Sequence, residues 1–205
     1  MPEREIRGLL IDFGGVLTTN IWTSFDSFCE REGLERGTVL DLFREDGEAL
    51  ALLRGLERGA VSDTDFEHDF GELLGVASPG LIERLFAGLS PERAMIEAVE
   101  AARAAGICTG LITNSWGTGI YERAPMGIFD ATVISGVVGL HKPEPAIYEL
   151  GAERIGVEPA GCVFVDDLRE NVAGAEAVGM RAILHRDPTE TIPELERVLG
   201  LPLTH

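Results

Sequence analysis

The sequence has few cysteines, and they do not form the pattern of a disulfide framework. Cys29, Cys108 and Cys162 are odd in number, lie far apart in a chain of 205 residues, and include no Cys-x-x-Cys pair. Secreted proteins with structural disulfides carry even, regularly spaced cysteines, whereas thiols stay reduced inside the cell. The cysteine content therefore predicts a reducing compartment, and we expect a cytoplasmic protein.

Long hydrophobic runs are also missing. No stretch approaches the roughly 18 apolar residues that a membrane-spanning helix needs. Residues 1–7 are charged, and the apolar run after them is short. The sequence thus predicts neither a membrane span nor a secretory signal peptide. It shows no internal repeat and no low-complexity segment.

Positive charge is scarce in this chain. The sequence has 17 basic and 35 acidic residues, which gives a formal net charge of -18 at pH 7. A field of that sign repels nucleic acids and anionic membranes, so we expect neither as a partner. The same field opposes an anionic substrate. A phosphate site in this protein therefore needs a local cation, such as a metal ion, a lysine or helix N-termini.

The order of apolar patterns predicts an α/β fold with a helical insertion. Short apolar strands are expected at residues 6–11, 107–112, 131–134, 162–165 and 181–184. Alternation of such strands with helices is typical of a doubly wound, mostly parallel sheet. Residues 18–88 instead carry apolar side chains at helical spacing. We predict a core of residues 1–17 and 89–205, interrupted by an all-helical domain at 18–88, the helical insertion.

Local patterns predict one helix start and one aromatic core. Ser90-Pro91-Glu92 has the pattern of a helix start, with Ser90 as the N-cap and Pro91 at the first helical position. The aromatic side chains of the helical insertion are expected to form its core. Trp22, Phe25 and Phe43 are expected to give its pocket an apolar component.

Polar side chains follow the strands that are expected at the centre of the sheet. The first strand ends on an aspartate followed by two glycines, which let the backbone turn sharply. Ligands of open α/β sheets bind at the carboxyl ends of the strands, so we expect the polar groups to share one crevice. In chain order these side chains are Asp12, Thr113, Asn114, Lys142, Asp166 and Asp167.

Together these groups suit phosphoryl transfer. Crowded carboxylates need a cation among them, and a few hard oxygen ligands suit Mg²⁺. An aspartate can attack phosphorus, and the neutral and cationic groups can hold phosphoryl oxygens. Taken alone, Asp166-Asp167 could cap the next helix, Thr113-Asn114 could form a turn, and Lys142 could be solvated. Their conjunction, each at a strand end or just before a helix, favours a functional site.

With these motifs the chain resembles the haloacid dehalogenase-like superfamily of phosphohydrolases over essentially its whole length. The family's four motifs match Asp12 in Ile-Asp-Phe-Gly-Gly-Val-Leu, Thr113 in Leu-Ile-Thr-Asn-Ser-Trp, Lys142 in His-Lys-Pro-Glu-Pro, and Asp166-Asp167 in Val-Phe-Val-Asp-Asp. The helical insertion is similar to the family's helical cap on a Rossmann-like core. Within the family, the chain is similar to the N-terminal phosphatase domain of soluble epoxide hydrolase and to bacterial sugar-phosphate phosphatases.

The resemblance implies a Mg²⁺-dependent phosphatase that hydrolyses a small phosphorylated metabolite through an aspartyl-phosphate. Asp12 would be the nucleophile, and Lys142 would orient it and screen charge. Thr113, Asn114 and Lys142 would hold phosphoryl oxygens. The cap would close over the substrate and set specificity. The identity of the substrate and the oligomeric state are left open.

The implied metal ligands include one departure from the family's pattern. They are Asp12, Asp167, Asp166 directly or through water, and the backbone carbonyl of Gly14. The family's phosphatases usually carry an aspartate at the position of Gly14, which protonates the leaving group and later activates water. Such help is typically worth about 10²–10⁴-fold, so we expect a slow enzyme or a substitute group. The candidate substitutes are Thr18, Thr19, Asn20, an acid from the cap, and water.

Two other functions compete with the phosphatase. Gly14 motivates a binding or regulatory protein on the same scaffold, which would bind metal and phosphoesters without turnover. A 2-haloacid dehalogenase also uses an aspartate nucleophile but needs no metal, so the pair Asp166-Asp167 argues against it. A phosphomutase would depend more heavily on the missing acid and ranks below the phosphatase.

Overall fold

The computed structural model describes residues 5–117, 121 and 126–203, so residues 1–4, 118–120, 122–125 and 204–205 of the predicted core lie outside the described residues. Within this range the strands are Gly8–Ile11 (β1), Cys108–Thr113 (β2), Ala131–Ile134 (β3), Cys162–Asp166 (β4) and Arg181–Leu184 (β5). The helices are Ile21–Glu32 (α1), Thr38–Glu45 (α2), Gly47–Glu57 (α3), Asp63–Leu74 (α4), Leu81–Phe86 (α5), Arg93–Ala104 (α6), Ser135–Val138 (α7), Pro145–Arg154 (α8), Arg169–Ala177 (α9) and Pro188–Leu199 (α10). In this part of the chain, no helix combines the length and the apolar character needed to cross a membrane.

The strands form one sheet in the order β3-β2-β1-β4-β5, and every neighbouring pair is parallel. This confirms the predicted doubly wound α/β fold. The chain moves outward from β1 through β2 to β3 and then returns to place β4 on the other side of β1. Strand order therefore reverses between β1 and β4, and Ile11 is in register with both Leu111 and Val165. The carboxyl ends of these three strands consequently lie at one edge of the sheet.

Both faces of the sheet are covered by helices, because alternate strand residues point to opposite sides. On one face Ile11 and Val165 pack with side chains of α6 and α10. On the other face Leu10, Ile112 and Phe164 pack with side chains of α8 and α9. Strands β1 and β4 are buried along their whole length, which explains why their sequences are almost continuously apolar.

The helical insertion, which contains α1–α5, has its own aromatic core. Phe25 and Phe43 are buried there, as the spacing predicts. Trp116, from the segment after β2, is part of the same cluster. Its ring centroid lies 5.3 Å from that of Phe25 and 5.6 Å from that of Phe43. A residue of the sheet domain therefore completes the packing of the helical insertion. The exact limits of the two domains stay a prediction.

The two connections between sheet and helical insertion pair with each other. Thr18 and Pro91 form an isolated antiparallel bridge, and Thr19 N donates a hydrogen bond to Ser90 O at 2.8 Å. The predicted helix start at Ser90 is therefore wrong. Helix α6 begins at Arg93, and Glu92 occupies the N-cap position. The pairing with Thr18 and Thr19 holds Ser90 and Pro91 outside the helix, and a local pattern does not reveal such a tertiary contact.

Candidate active site

Three carboxylates meet at the carboxyl end of the sheet. One oxygen from each of Asp12, Asp166 and Asp167 lies within 4.8 Å of the others. Asp12 directly follows β1 and its N–H donates a hydrogen bond to Val165 O at 2.9 Å, which holds it beside the end of β4. The reversal of strand order thus brings together acidic residues that are far apart in the sequence.

Lys142 bridges two of these carboxylates. Its Nζ lies 2.6 Å from Asp12 Oδ1 and 2.6 Å from Asp166 Oδ2, and its side chain is only 1% exposed. Burial by itself lowers the pKa of a lysine, but the two carboxylates outweigh burial and hold the pKa of Lys142 above its usual value. Lys142 is therefore a permanent positive charge inside an acidic site.

Burial, together with the neighbouring negative charges, raises the pKa of two of the carboxyl groups. Burial raises the pKa of Asp12 to about 6, although the charge of Lys142 acts in the opposite direction. Burial, with the charges of Asp12 and Asp166, raises the pKa of Asp167 to about 7. Three close carboxylates are stable in their charged form only with a further cation among them, and this set of hard oxygen donors fits Mg²⁺.

The two glycines after Asp12 shape the loop at this site. Gly15 has φ +75°, and a Cβ there would lie 2.5 Å from Asp167 Oδ2, so the loop reaches that carboxylate because the position lacks a side chain. A Cβ at Gly14 would lie 2.4 Å from Ile21 Cδ1. The first residue of α1 therefore fills the space that a side chain at position 14 would use. The role of the Gly14 carbonyl as a ligand stays a prediction.

Thr113 and Asn114 lie at the end of β2, beside Lys142. Asn114 Oδ1 accepts a hydrogen bond from Lys142 N at 2.9 Å, and Asn114 Nδ2 donates one to Lys142 O at 3.2 Å. This pair of bonds fixes the backbone of Lys142. Thr113 is buried, and the hydroxyl of Tyr121 donates to Asn114 O at 3.3 Å. The phosphate-binding roles of Thr113 and Asn114 stay predictions.

Asn171 is a site residue that the sequence reading missed. Its Nδ2 lies 3.0 and 3.1 Å from the two carboxylate oxygens of Asp166, and Leu168 N also donates to Asp166 Oδ1 at 2.9 Å. These bonds fix the Asp166 carboxylate while Lys142 binds its other side. An amide near the start of the helix that follows the acidic pair was the signal in the sequence, because asparagine is unfavourable inside helices.

Glu57 brings a further carboxyl group to the site from the helical insertion. It is the last residue of α3 and is half-buried, and the side chain of Asn114 and the charge of Lys142 both act on its carboxyl group. Burial raises the pKa of Glu57 to about 7, even though the charges of Lys142, Arg54 and Arg58 oppose this effect. The sequence had suggested an acid from the cap only as a class, without naming the residue.

The aromatic residues expected to line a pocket divide between two environments. Trp22, which is 37% exposed, and Phe25 line a cavity of about 260 Å³, whose other walls come from α1, the loop after it and α2. Phe43 is buried in the aromatic core, where its ring stacks on Phe70 with centroids 4.7 Å apart. Trp22 and Phe25 thus line a cavity within the helical insertion, whereas Phe43 contributes to packing; their role in a substrate pocket stays a prediction.

The parallel α/β sheet thus carries an acidic cluster and a buried lysine at the point where its strand order reverses. A family model described as haloacid dehalogenase-like hydrolase matches residues 6–179. The chain therefore belongs to the haloacid dehalogenase-like hydrolase family, as its motifs predict.

The sequence alignments with two similar proteins extend over almost all of this chain. It is 28% identical over 211 residues to acyl-CoA dehydrogenase family member 10 of Mus musculus, with 98% of this chain and 20% of that protein covered. It is 27% identical over 202 residues to sesquiterpene phosphatase astK of Aspergillus oryzae, with 95% of this chain and 97% of that protein covered. The chain spans between 20% and 40% of the length of three mammalian relatives that it matches.

The fold is also shared with solved structures. A family enzyme of Bacteroides thetaiotaomicron, crystallised with magnesium and inorganic phosphate, superposes with a TM-score of 0.69 at 20% identity. The superposition covers 88% of this chain and 94% of that enzyme. At this level of identity the similarity supports the architecture of sheet and helices.

Proposed function

We propose that this protein is a Mg²⁺-dependent phosphatase that hydrolyses a small phosphorylated metabolite through an aspartyl-phosphate. The observation that carries the proposal is the Asp12 carboxylate, paired with buried Lys142 and set within 4.8 Å of two further carboxylates. The fungal relative is a sesquiterpene phosphatase, and the Bacteroides enzyme contains magnesium and inorganic phosphate. Both relatives support this reaction.

The residues that would hold the magnesium ion are Asp12, Asp166, Asp167 and the carbonyl of Gly14. When bound, the ion supplies positive charge for the phosphoryl oxygens and offsets the repulsion among the carboxylates. A protein with a net charge of -18 needs such local cations to accept a phosphate. Lys142 supplies a second one from inside the site.

In this mechanism the Asp12 carboxylate attacks phosphorus and the bond to the leaving oxygen breaks. Lys142 holds the attacking carboxylate in place, and Asn114 fixes Lys142 through both of its backbone groups. Thr113 and Asn114 would donate to phosphoryl oxygens from the end of β2. Water then attacks the aspartyl-phosphate, releases phosphate and restores Asp12. Most of the rate would come from positioning and charge neutralisation.

A second candidate is a binding or regulatory protein that holds metal and phosphoesters without turnover. The observation in its favour is Gly14, since Ile21 fills the space of an acidic side chain at that position. The 2-haloacid dehalogenase ranks lower because it has little use for three clustered carboxylates. The expected cytoplasmic location rests on the cysteine content and stays a prediction.

The test is phosphate release from p-nitrophenyl phosphate and acetyl phosphate, with Mg²⁺ and with EDTA. We expect release that needs the metal and is abolished by Asp12→Asn, while the exposed control Asp69→Asn retains it. Unchanged turnover in Asp12→Asn would refute the proposed mechanism. A folded protein that binds Mg²⁺ and releases no phosphate would instead favour the binding protein. Chloride release from 2-chloropropionate in EDTA would favour the dehalogenase.

A further inference from the structure

The proposed reaction needs a proton donor that the strand ends do not supply. An alcohol leaves a phosphate ester far more easily when its oxygen is protonated as the bond breaks. Gly14 has no side chain, and Asp12 is the nucleophile. Asp166 is bound by Lys142 and by Asn171. Asp167 belongs to the proposed metal-binding cluster, so a side-chain donor has to come from another element.

The loop after β1 offers no free proton donor either. Thr18 Oγ1 donates to Thr19 O at 3.1 Å and accepts from Gly15 N at 3.2 Å. Thr19 Oγ1 accepts from Ser90 N at 3.1 Å, and Asn20 caps α1 by accepting from Trp22 N at 2.9 Å. These hydroxyl and amide groups are also poor acids at neutral pH. The three loop residues that the sequence suggested as substitutes therefore have structural roles.

We propose that Glu57 is the general acid and base of this site and acts from the helical insertion. This inference rests on the proposed phosphatase function and names the group that replaces the side chain absent at Gly14. Glu57 is half-buried, and one hydroxyl, that of Ser135, bonds both its carbonyl and the N–H of Ser115, just after β2. The side chain of Asn114 and the charge of Lys142 both act on its carboxyl group, which lies close to this strand end.

The backbone around Glu57 is fixed to the core. Ser135 Oγ donates to Glu57 O at 2.5 Å and accepts from Ser115 N at 2.7 Å, so one hydroxyl joins the end of α3 to the end of β2. Gly59, with φ +69°, packs so closely on α7 that a Cβ there would lie 2.2 Å from Gly136 O. The backbone at the end of α3 therefore has a defined position relative to the end of β2.

The surroundings of Glu57 favour its protonated form near neutral pH. It is half-buried, and it lies at the carboxyl end of a helix, where the helix dipole disfavours negative charge. Burial accordingly raises its pKa to about 7, against the opposing charges of Lys142, Arg54 and Arg58. Arg58 is itself paired, since its Nη2 lies 2.9 Å from Glu144 Oε1. An acid with such a pKa can both give and take a proton at physiological pH.

The proton balance closes over one turnover. As Asp12 bonds to phosphorus, the bond from phosphorus to the leaving oxygen breaks and that oxygen takes the proton of Glu57. The Glu57 carboxylate then takes a proton from the water that attacks the aspartyl-phosphate. Phosphate leaves, Asp12 is again a carboxylate, and Glu57 is again an acid. No other reactant is needed.

The experiment compares two leaving groups in Glu57→Gln. We expect kcat/KM for phenyl phosphate, whose leaving oxygen needs a proton, to fall by about 10²-fold or more. The value for p-nitrophenyl phosphate, whose leaving group is stable as an anion, should fall much less. Glu57→Asp should recover part of the loss, and it tests the proposal independently if Glu57→Gln folds poorly. The matched control is Glu144→Gln, which removes the carboxylate that pairs with Arg58. It should not change the ratio of the kcat/KM values for the two substrates.

The outcomes separate this inference from the proposed function. Equal losses of kcat/KM for both substrates in Glu57→Gln would show a structural role for Glu57, and no loss would show that it has no role. Either result overturns the inference while Asp12-dependent turnover still stands. Hydrolysis of p-nitrophenyl phosphate without any hydrolysis of phenyl phosphate in the unmodified protein would also overturn it. Turnover that persists in Asp12→Asn would refute the phosphatase mechanism itself, whatever Glu57→Gln shows.

Discussion

Lys142→Met tests whether the buried lysine holds the acidic site together. The substitution keeps an unbranched side chain of similar length but removes the charge that lies 2.6 Å from both Asp12 and Asp166. The carboxylate of Asp166 is 0% exposed in its side chain, so water cannot replace the lost partner. We therefore expect a large loss of folding stability.

The magnitude follows from burial and from pH. Removing one partner of a buried ion pair costs about 3–5 kcal/mol. Even with the lysine present, the pKa of Asp12 is about 6 in the folded protein against an ordinary 3.8, and each unit of such a difference is worth about 1.4 kcal/mol. A raised folded-state pKa means that stability is lost as pH rises from the unfolded value through the folded one. The loss in Lys142→Met should thus be larger at pH 8 than at pH 5.

Urea unfolding in EDTA at both pH values measures this loss. The control is Arg36→Met, because Arg36 also lies between two carboxylates, at 3.4 Å from Asp26 and 3.4 Å from Glu30, but is 67% exposed. Exposed pairs contribute about 0–1 kcal/mol, so this control should change little. The reasoning is refuted if Lys142→Met costs no more than Arg36→Met, or if its cost is the same at pH 5 and at pH 8.

Two further predictions concern the helical insertion and the metal. Gly59→Ala should destabilise the protein more than Gly75→Ala in thermal unfolding. Both glycines have left-handed backbones, but a Cβ at Gly59 would lie 2.2 Å from Gly136 O, whereas a Cβ at Gly75 would have no atom within 4 Å. Equal losses of stability in the two variants would show that α3 does not depend on this contact. Mg²⁺ should raise the melting temperature more at pH 8 than at pH 5.5, because Asp12 and Asp167 have pKa values of about 6 and 7 in the metal-free protein and hold protons below them. An equal rise at both pH values would contradict the assignment of these carboxylates as ligands.

The strand ends were predictable because the signals are local. Asp12, Thr113 and Asp166 each end a short apolar run, and a parallel sheet places such ends at one edge. The sequence did not reveal how closely Lys142 would contact two carboxylates, because that depends on the path of the segment between β3 and α8. The general location of the site was predictable, and its ion pairs needed the folded chain.

The features that local sequence patterns do not indicate depend on contacts between distant parts of the chain. Glu57 is at the end of an amphipathic helix, where a glutamate usually faces solvent. Its half-buried position, and the hydrogen bond of its carbonyl to Ser135, which lies 78 residues later in the chain, are seen only in the folded protein. The helix start predicted at Ser90 failed for the same reason, since Thr19 binds that segment from a distant part of the sequence. Local patterns therefore identify elements better than the contacts between them.

The position of Trp116 also affects the order in which the protein acquires structure during synthesis. Four phenylalanine rings of the helical insertion surround it, and all of them precede it in the chain: Phe25, Phe43, Phe66 and Phe86. A ribosome adds roughly 5–20 residues per second, so α1–α5 emerge well before this tryptophan does. Until then the aromatic core lacks the ring that contacts all four of them. Complete packing of the helical insertion therefore requires a residue that is synthesised only after β2.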